Sequence, residues 1–412
     1  MSDAGILPVE ESTAATGATA IRPRSPELSE LIEAVAADAV ARDRGELPAQ
    51  PAIELVRQAR LGAFRLPVEQ GGGGASLPEL YALIIDLAAA DSNIPHILRN
   101  HFAFVERALR APGSDKLQRW REKARDGKLF GLGASELGIQ NIGSGYVETL
   151  LTPQGDGYVL NGRKFYSTGN YYTDFIVVQA RTPEGEPVSA VVRTAQAGVN
   201  VDDDWDGIGQ RLTASGTSIF TDVPVAAGDV LFQSEQETRL PFNATFAQLY
   251  LTSIVTGILR RIVQDATALV SGRGRNYYHA VAERPADDPL LQQTVGRLAS
   301  VAYVAEAAVL RAAEALGDAF ASASAGKADV ALFEEAALRA AKAKIVIDEL
   351  ALSAATQLFD VGGASAATQS KSLDRHWRNI RTISSHNPLA YKARAIGNHV
   401  VNGAALPNGA FF

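Results

Sequence analysis

Asn161-Gly162-Arg163-Lys164-Phe165-Tyr166-Ser167-Thr168 is the stretch on which the reading of this chain turns. Asn-Gly between Tyr158-Val159-Leu160 and Lys164-Phe165-Tyr166 is a two-residue hairpin signal, because both residues tolerate the positive φ of a tight turn. The surrounding segment 146–224 alternates and is rich in β-branched and aromatic residues, with Phe175–Val178, Val188–Val192 and Ser218–Val223 as further strands. A β-domain is therefore expected at 131–237.

Outward from it the pattern turns helical on both sides. Ser76 and Glu79 form a capping box with Pro78 in the first turn, and Leu80, Leu83, Ile84, Leu87 and Ala88 make one apolar stripe behind it. Gly71 to Gly74, just before, reads as a flexible connection. Residues 28–130 are expected to form an N-terminal helical domain, preceded by a small, polar, flexible tail at 1–27. Beyond Phe242, the Ala-rich stretches 245–271, 290–324 and 328–358 are each longer than an average globular helix. Long helices with short connections predict a bundle within 238–412. The fold class expected is α+β: N-terminal helices, a central β-domain, then a C-terminal four-helix bundle.

Composition narrows the function. Of 412 residues, 46% are apolar, and the net charge is -7, which argues against nucleic acid as a partner. No apolar run is long enough to span a bilayer. The first twenty residues lack a basic n-region and an apolar h-region, so no secretory signal is expected and the cytoplasm is the default. There is no Cys, and the only Met is Met1. That removes disulfides, thiolate metal sites and cysteine nucleophiles. Oxidative hardening and sulfur economy compete as explanations of the missing sulfur, with drift in an Ala-rich sequence as the alternative to both. No histidine pair has a metal-ligand spacing with a supporting carboxylate, so no metal site is predicted.

Four segments in order give the chain a resemblance to the acyl-CoA dehydrogenase superfamily over about residues 28–400. Gly133-Ala134-Ser135-Glu136 looks like the family's segment at the flavin pyrimidine edge. Asn161 to Thr168 looks like its strand beside the isoalloxazine. Gly209-Gln210-Arg211 through Asp222-Val223-Pro224-Val225 is similar to the strand closing the β-domain. Phe359 to Ala364 resembles the glycine turn that reaches a neighbour's flavin. The resemblance implies cofactor contacts from Ser135, Ser167, Thr168, Gly362 and Gly363, with Arg275 (or Arg273) at the flavin phosphate. A flat apolar ring with one polar edge does want small hydroxyl donors on a rigid support.

Dehydrogenases of the family use a glutamate base from one of two places. Here both are empty: Thr238 to Gln264 holds no Asp or Glu, and none follows Asp374. His386-Asn387-Pro388 and Tyr391-Lys392-Ala393-Arg394 stand there instead, and Arg99-Asn100-His101-Phe102 gives a second match. Both resemble the branch containing dibenzothiophene monooxygenase and the sulfinate and sulfone-pathway monooxygenases. That resemblance implies a two-component monooxygenase, in which reduced FMN (rather than FAD) comes from a separate NAD(P)H:flavin reductase and reacts with O2 through a C4a-hydroperoxyflavin. The implied substrate is a small organosulfur compound of the alkanesulfinate or sulfone type. His101, His386 and Ser167 are the expected catalytic residues, and His96, His279, His376 and His399 are read as structural. Alternatives on the same fold are an amine N-hydroxylase, an acyl-CoA dehydrogenase and a non-catalytic flavin binder. The glycine turn and the Ala-rich helices imply a homotetramer.

Overall fold

A computed structural model describes residues 20–111, 113–139, 143, 145–232 and 240–412; most of the expected tail, residues 1–19, lies outside these. Six helices lead among the described residues: α1 (Pro26–Ala37), α2 (Ala39–Asp43), α3 (Gln50–Gln58), α4 (Leu77–Asp91), α5 (Asn93–Leu109) and α6 (Asp115–Arg125). The capping box starts α4 as expected: Glu79 N–H donates to Ser76 Oγ, and Ser76 N–H to the Glu79 carboxylate at 2.9 Å. Order begins earlier than residue 28. Ile21 is buried and its N–H donates to the Ala59 carbonyl at 3.2 Å, and Ser25 already caps α1. Gly71 to Gly74 is not a loose connection either. A Cβ on Gly72 would lie 2.1 Å from the Leu66 carbonyl oxygen, and one on Gly73 would lie 2.5 Å from that of Ile21. The glycines are there because backbone packs on backbone.

The strands are β1 (Phe130–Gly133), β2 (Leu150–Gln154), β3 (Gly157–Lys164), β4 (Phe175–Arg181), β5 (Pro187–Arg193), β6 (Val199–Asp202), β7 (Thr217–Ala226) and β8 (Val230–Phe232). They form one sheet in the order β6-β7-β3-β2-β4-β5-β8, with β1 parallel to β4. The hairpin expected at Asn161-Gly162 lies instead at Gly155-Asp156, where Gln154 pairs with Gly157. Asn161 and Gly162 sit inside β3, at a bulge against β7. The Asn161 amide exchanges hydrogen bonds with Asp222, to its side chain at 3.0 Å and from its N–H at 2.8 Å. Gly162 is required by crowding: a Cβ there would come within 2.3 Å of Thr149 Oγ1. Asn-Gly serves a bulge here, and a bulge needs the same permissive residues as a turn.

The long helices follow: α7 (Thr245–Ser271), α8 (Pro289–Ser324) and α9 (Val330–Gly362), then α10 (Asp374–Ser384) and α11 (Leu389–Asn402). Helix α4 packs on α7 and α8, which pack on each other and on α9. Ala312, Ala313, Ala336 and Ala340 fill these contacts, so the backbones approach closely. One core runs from Leu31 through Ile84 and Ile254 to Leu316 and Ala355, joining the N-terminal and C-terminal helices. The sheet has a separate core around Leu151, Leu160, Ile176 and Val223. No described helix is long and apolar enough to cross a membrane.

Candidate functional site

Strand β3 delivers its end to the site, and a buried ion pair fixes it there. Lys164 Nζ meets Glu136 Oε1 at 2.6 Å, and Glu136 also accepts from Thr149 Oγ1 at 2.6 Å. Phe165 N–H donates to the Ser135 carbonyl at 2.9 Å. The Ser135 segment and the 165–168 segment are thus brought side by side, as the two motifs imply. Beyond Lys164 the chain turns sharply. Tyr166 has φ +54° and an exposed ring, edge-on to Trp205 at 6.3 Å.

The hydroxyls here are not equivalent. Thr213 Oγ1 donates its one proton to the Gln210 carbonyl at 2.8 Å. In its 2.8 Å contact with Thr213, Ser215 must therefore be the donor. Thr168 must then donate to Ser215, also at 2.8 Å. Thr168 has no proton left for a ligand. Ser167 does: its Oγ is shielded from solvent and has no partner among the described residues, while its backbone N–H is taken by the Gly216 carbonyl. A buried hydroxyl left without a partner costs about 1–3 kcal/mol unless a ligand completes it.

Helix α5 supplies the opposite wall. His96, Arg99 and Asn100 fall at i, i+3 and i+4, one helix face. Asn100 Nδ2 donates to the Thr168 carbonyl at 3.1 Å and ties that face to the β-domain. His96 Nδ1 contacts Gln210 Oε1 at 2.9 Å, while Gln210 Nε2 donates to Ser92 Oγ and Gln210 N–H to Asn379 Oδ1. The amide oxygen can only accept, so His96 carries its proton on Nδ1 and leaves Nε2 as a free acceptor. Burial, then the charge of Arg99, pulls the His96 imidazole down to about 3, so it is neutral at ordinary pH.

His386 follows α10, its ring edge-on to Phe411 at 6.0 Å. It is solvent-accessible, yet desolvation and then Arg99 and His96 pull it to about 3. Behind it, Lys344 and Asp348 form a fully buried pair at 2.6 Å, and burial brings Lys392 down to about 8.

His101 is placed elsewhere. It is fully buried, donates from Nε2 to the Gly62 carbonyl at 2.8 Å, and accepts from Phe130 N–H at Nδ1. Burial holds it neutral, at about 4, and both ring nitrogens are spent on backbone. His96 and Arg99, which the sequence reading left out, share one face of α5 and both act electrostatically on His386, whereas His101 has both ring nitrogens bonded to backbone. Helix spacing puts His101 about 140° around α5 from His96, on a different face.

The glycine turn ends α9, with Gly363 at φ +59°. Beside it Arg273 Nη1 donates to the Val361 carbonyl at 2.9 Å, and Arg273 rather than the exposed Arg275 lines a neighbouring cavity of about 430 Å³. Arg261, Lys371, Arg375 and Asp265 also line it, which makes it basic on balance. These residues fit the flavin that the sequence resemblance implies. Ser167 offers one uncommitted donor beside the exposed Tyr166 ring, and the basic cavity suits a phosphate.

Residues 249–391 match the family described as acyl-CoA dehydrogenase, C-terminal domain. Dibenzothiophene monooxygenase of Rhodococcus erythropolis is 29% identical over 393 residues, 90% of this chain and 92% of that protein. A probable FMNH2-dependent monooxygenase of Pseudomonas putida, SfnC, is 28% identical over 92% of this chain and 95% of its own length. The solved methanesulfinate monooxygenase MsuC of Pseudomonas fluorescens superposes with a TM-score of 0.85 at 25% identity, covering 94% of this chain and all of that one. The chain therefore has the acyl-CoA dehydrogenase fold, and its similarity is to the flavin monooxygenases built on it.

Proposed function

We propose that this chain is an FMNH2-dependent monooxygenase that oxygenates a small organosulfur compound of the alkanesulfinate or sulfone type, acting in the cytoplasm with a separate flavin reductase. One observation carries the reading: Ser167 keeps an uncommitted hydroxyl beside the α5 face that bears His96 and Arg99, and no carboxylate is among the groups that perturb His96 or His386. Reduced FMN, when bound, supplies the two electrons that activate dioxygen. Ser167 would donate its free proton to the polar edge of the ring, and Asn100 ties the Thr168 backbone beside it to α5. His96 and His386 stay neutral, so each can accept or pass a proton without placing a second charge beside Arg99. Asp348, the carboxylate behind His386, is held in its pair with Lys344 and is not offered as a base. That disfavours dehydrogenation, and the site's Arg99 disfavours a cationic amine. The similarities to dibenzothiophene and methanesulfinate monooxygenases support an organosulfur substrate.

Purified protein given a flavin reductase, NAD(P)H, FMN, O2 and methanesulfinate is expected to form methanesulfonate in proportion to the NAD(P)H consumed. Release of hydrogen peroxide alone, or bleaching of a tightly bound FAD by an acyl-CoA, would contradict the reading.

The assembly proposed is a homotetramer. Tyr303 and Val304 on α8 and Val400 and Val401 on α11 are all more than half exposed, apolar area of the kind that subunit contacts cover. Arg273 and the glycine turn have no described contact with Ser167 in their own chain, which suits a segment serving a neighbour's flavin. Light scattering is expected to give four times 43.6 kDa, and a stable monomer would remove the proposal.

A further inference from the structure

Arg99 is a guanidinium without a counterpart. Among the described residues it makes no hydrogen bond or ion pair, and its Nε is shielded from solvent with no partner. Arg42 and Arg375 are by contrast matched by carboxylates: Arg42 holds Asp91 at 2.8 Å, and Arg375 holds Asp265 at 2.8 Å. The groups around Arg99 are neutral. His96 and His386 are uncharged, and Tyr250 spends its proton on the Pro95 carbonyl at 2.9 Å. Burial lowers Arg99 only to about 10, so it remains a cation. A guanidinium whose Nε is cut off from water among neutral groups is stabilised by an anion that reaches it.

Position decides which anion. Arg99 precedes Asn100, whose amide holds the Thr168 carbonyl next to the free Ser167 hydroxyl, and its charge acts on both His96 and His386. It shares with His96 and Asn100 the face of α5 turned toward the proposed site. On the reading proposed above, we propose that Arg99 is the specificity-determining residue that binds the oxyanion of an alkanesulfinate substrate. The planar fork matches two oxygens on one sulfur, as it matches a carboxylate. Held this way, the sulfinate turns its sulfur lone pair away from Arg99. The reaction balances as R–SO2⁻ + O2 + FMNH2 → R–SO3⁻ + FMN + H2O. One S–O bond forms, the O–O bond breaks, and the second oxygen leaves as water with the two protons of the reduced flavin.

The other source of negative charge is the reduced flavin ring itself, and the test separates the two. Arg99→Gln and Arg99→Lys are compared with wild type in the reductase-coupled assay, using methanesulfinate and the neutral dimethyl sulfone, with the Kd for FMNH2 titrated anaerobically. Arg99→Gln is expected to raise KM for methanesulfinate about 100-fold, the effect of losing a charge-assisted hydrogen bond. Arg99→Lys, which keeps the charge but not the fork, should recover part of that loss. The Kd for FMNH2 should stay within about twofold, and a folded tetramer with unchanged FMNH2 binding excludes misfolding as the cause. An unchanged KM in Arg99→Gln overturns the proposal, as does a rise in the Kd for FMNH2 matching the rise in KM. If wild type oxygenates dimethyl sulfone at least as efficiently as methanesulfinate, the oxyanion role fails while the monooxygenase reading stands. If wild type oxygenates neither, the function reading itself has failed.

Discussion

The His96→Ala variant is expected to bind FMNH2 and consume O2 but to release hydrogen peroxide in place of oxygenated product. The product-to-peroxide ratio should fall by about 10²–10⁴, the contribution of a positioned acid–base group. The flavin-side contacts, Ser167 and Tyr166, are untouched by the change, so binding and chemistry separate. His386→Ala should behave alike, and the double variant should be little worse than the more damaging single one, because groups acting as a unit are not additive. His101→Ala is the contrast. It should keep the wild-type ratio and lose stability instead, about 1–3 kcal/mol for each backbone group left unpaired at Gly62 and Phe130. Uncoupling in His101→Ala with full coupling in His96→Ala would reverse the assignment.

The second large effect lies in the bundle. Lys344→Met should cost about 3–5 kcal/mol, because Asp348 is left as an uncompensated charge at a fully buried position. Burial already raises the Asp348 carboxyl above its ordinary value, and removing the lysine raises it further. A folded-state pKa above the unfolded one penalises the fold at pH above the unfolded value, and the penalty shrinks as the group protonates. The gap between variant and wild type in urea should therefore narrow as pH falls from 7 toward 5. Lys344→Met with Asp348→Leu should recover most of the loss. A single variant as stable as wild type at pH 7 would show that the pair is solvated.

Much of the fold was legible because its signals are local and repeated. The Ser76–Glu79 box fixes a helix start, and the apolar period of 245–271 marks a helix that runs Thr245–Ser271. What failed was ambiguous for stated physical reasons. Asn161-Gly162 carries the permissive residues that a turn and a bulge share, and only the crowding of Thr149 distinguishes them. Ile21 looks like part of a tail until the Ala59 carbonyl, far along the chain, accepts its N–H. At the site, residue types were readable and proton positions were not. Thr168 and Ser167 look alike in sequence, yet the commitment of Thr168 depends on Ser215, Thr213 and Gln210, 42 to 47 positions later. The motif singled out His101, but that both its ring nitrogens are bonded to backbone was not legible from the motif alone.

Gln210 has a consequence for biosynthesis. Its amide sets the tautomer of His96, and its own backbone N–H is held by Asn379, 169 residues further on. A ribosome must therefore reach residue 379 of 412 before the bond that holds the Gln210 backbone can form. A nascent chain carrying the β-domain already has Ser167 and the surface beside it, but the Gln210 backbone that carries the histidine's partner is not yet held. On the role proposed for His96, an incomplete copy that binds reduced flavin should resemble His96→Ala and release oxidant rather than product.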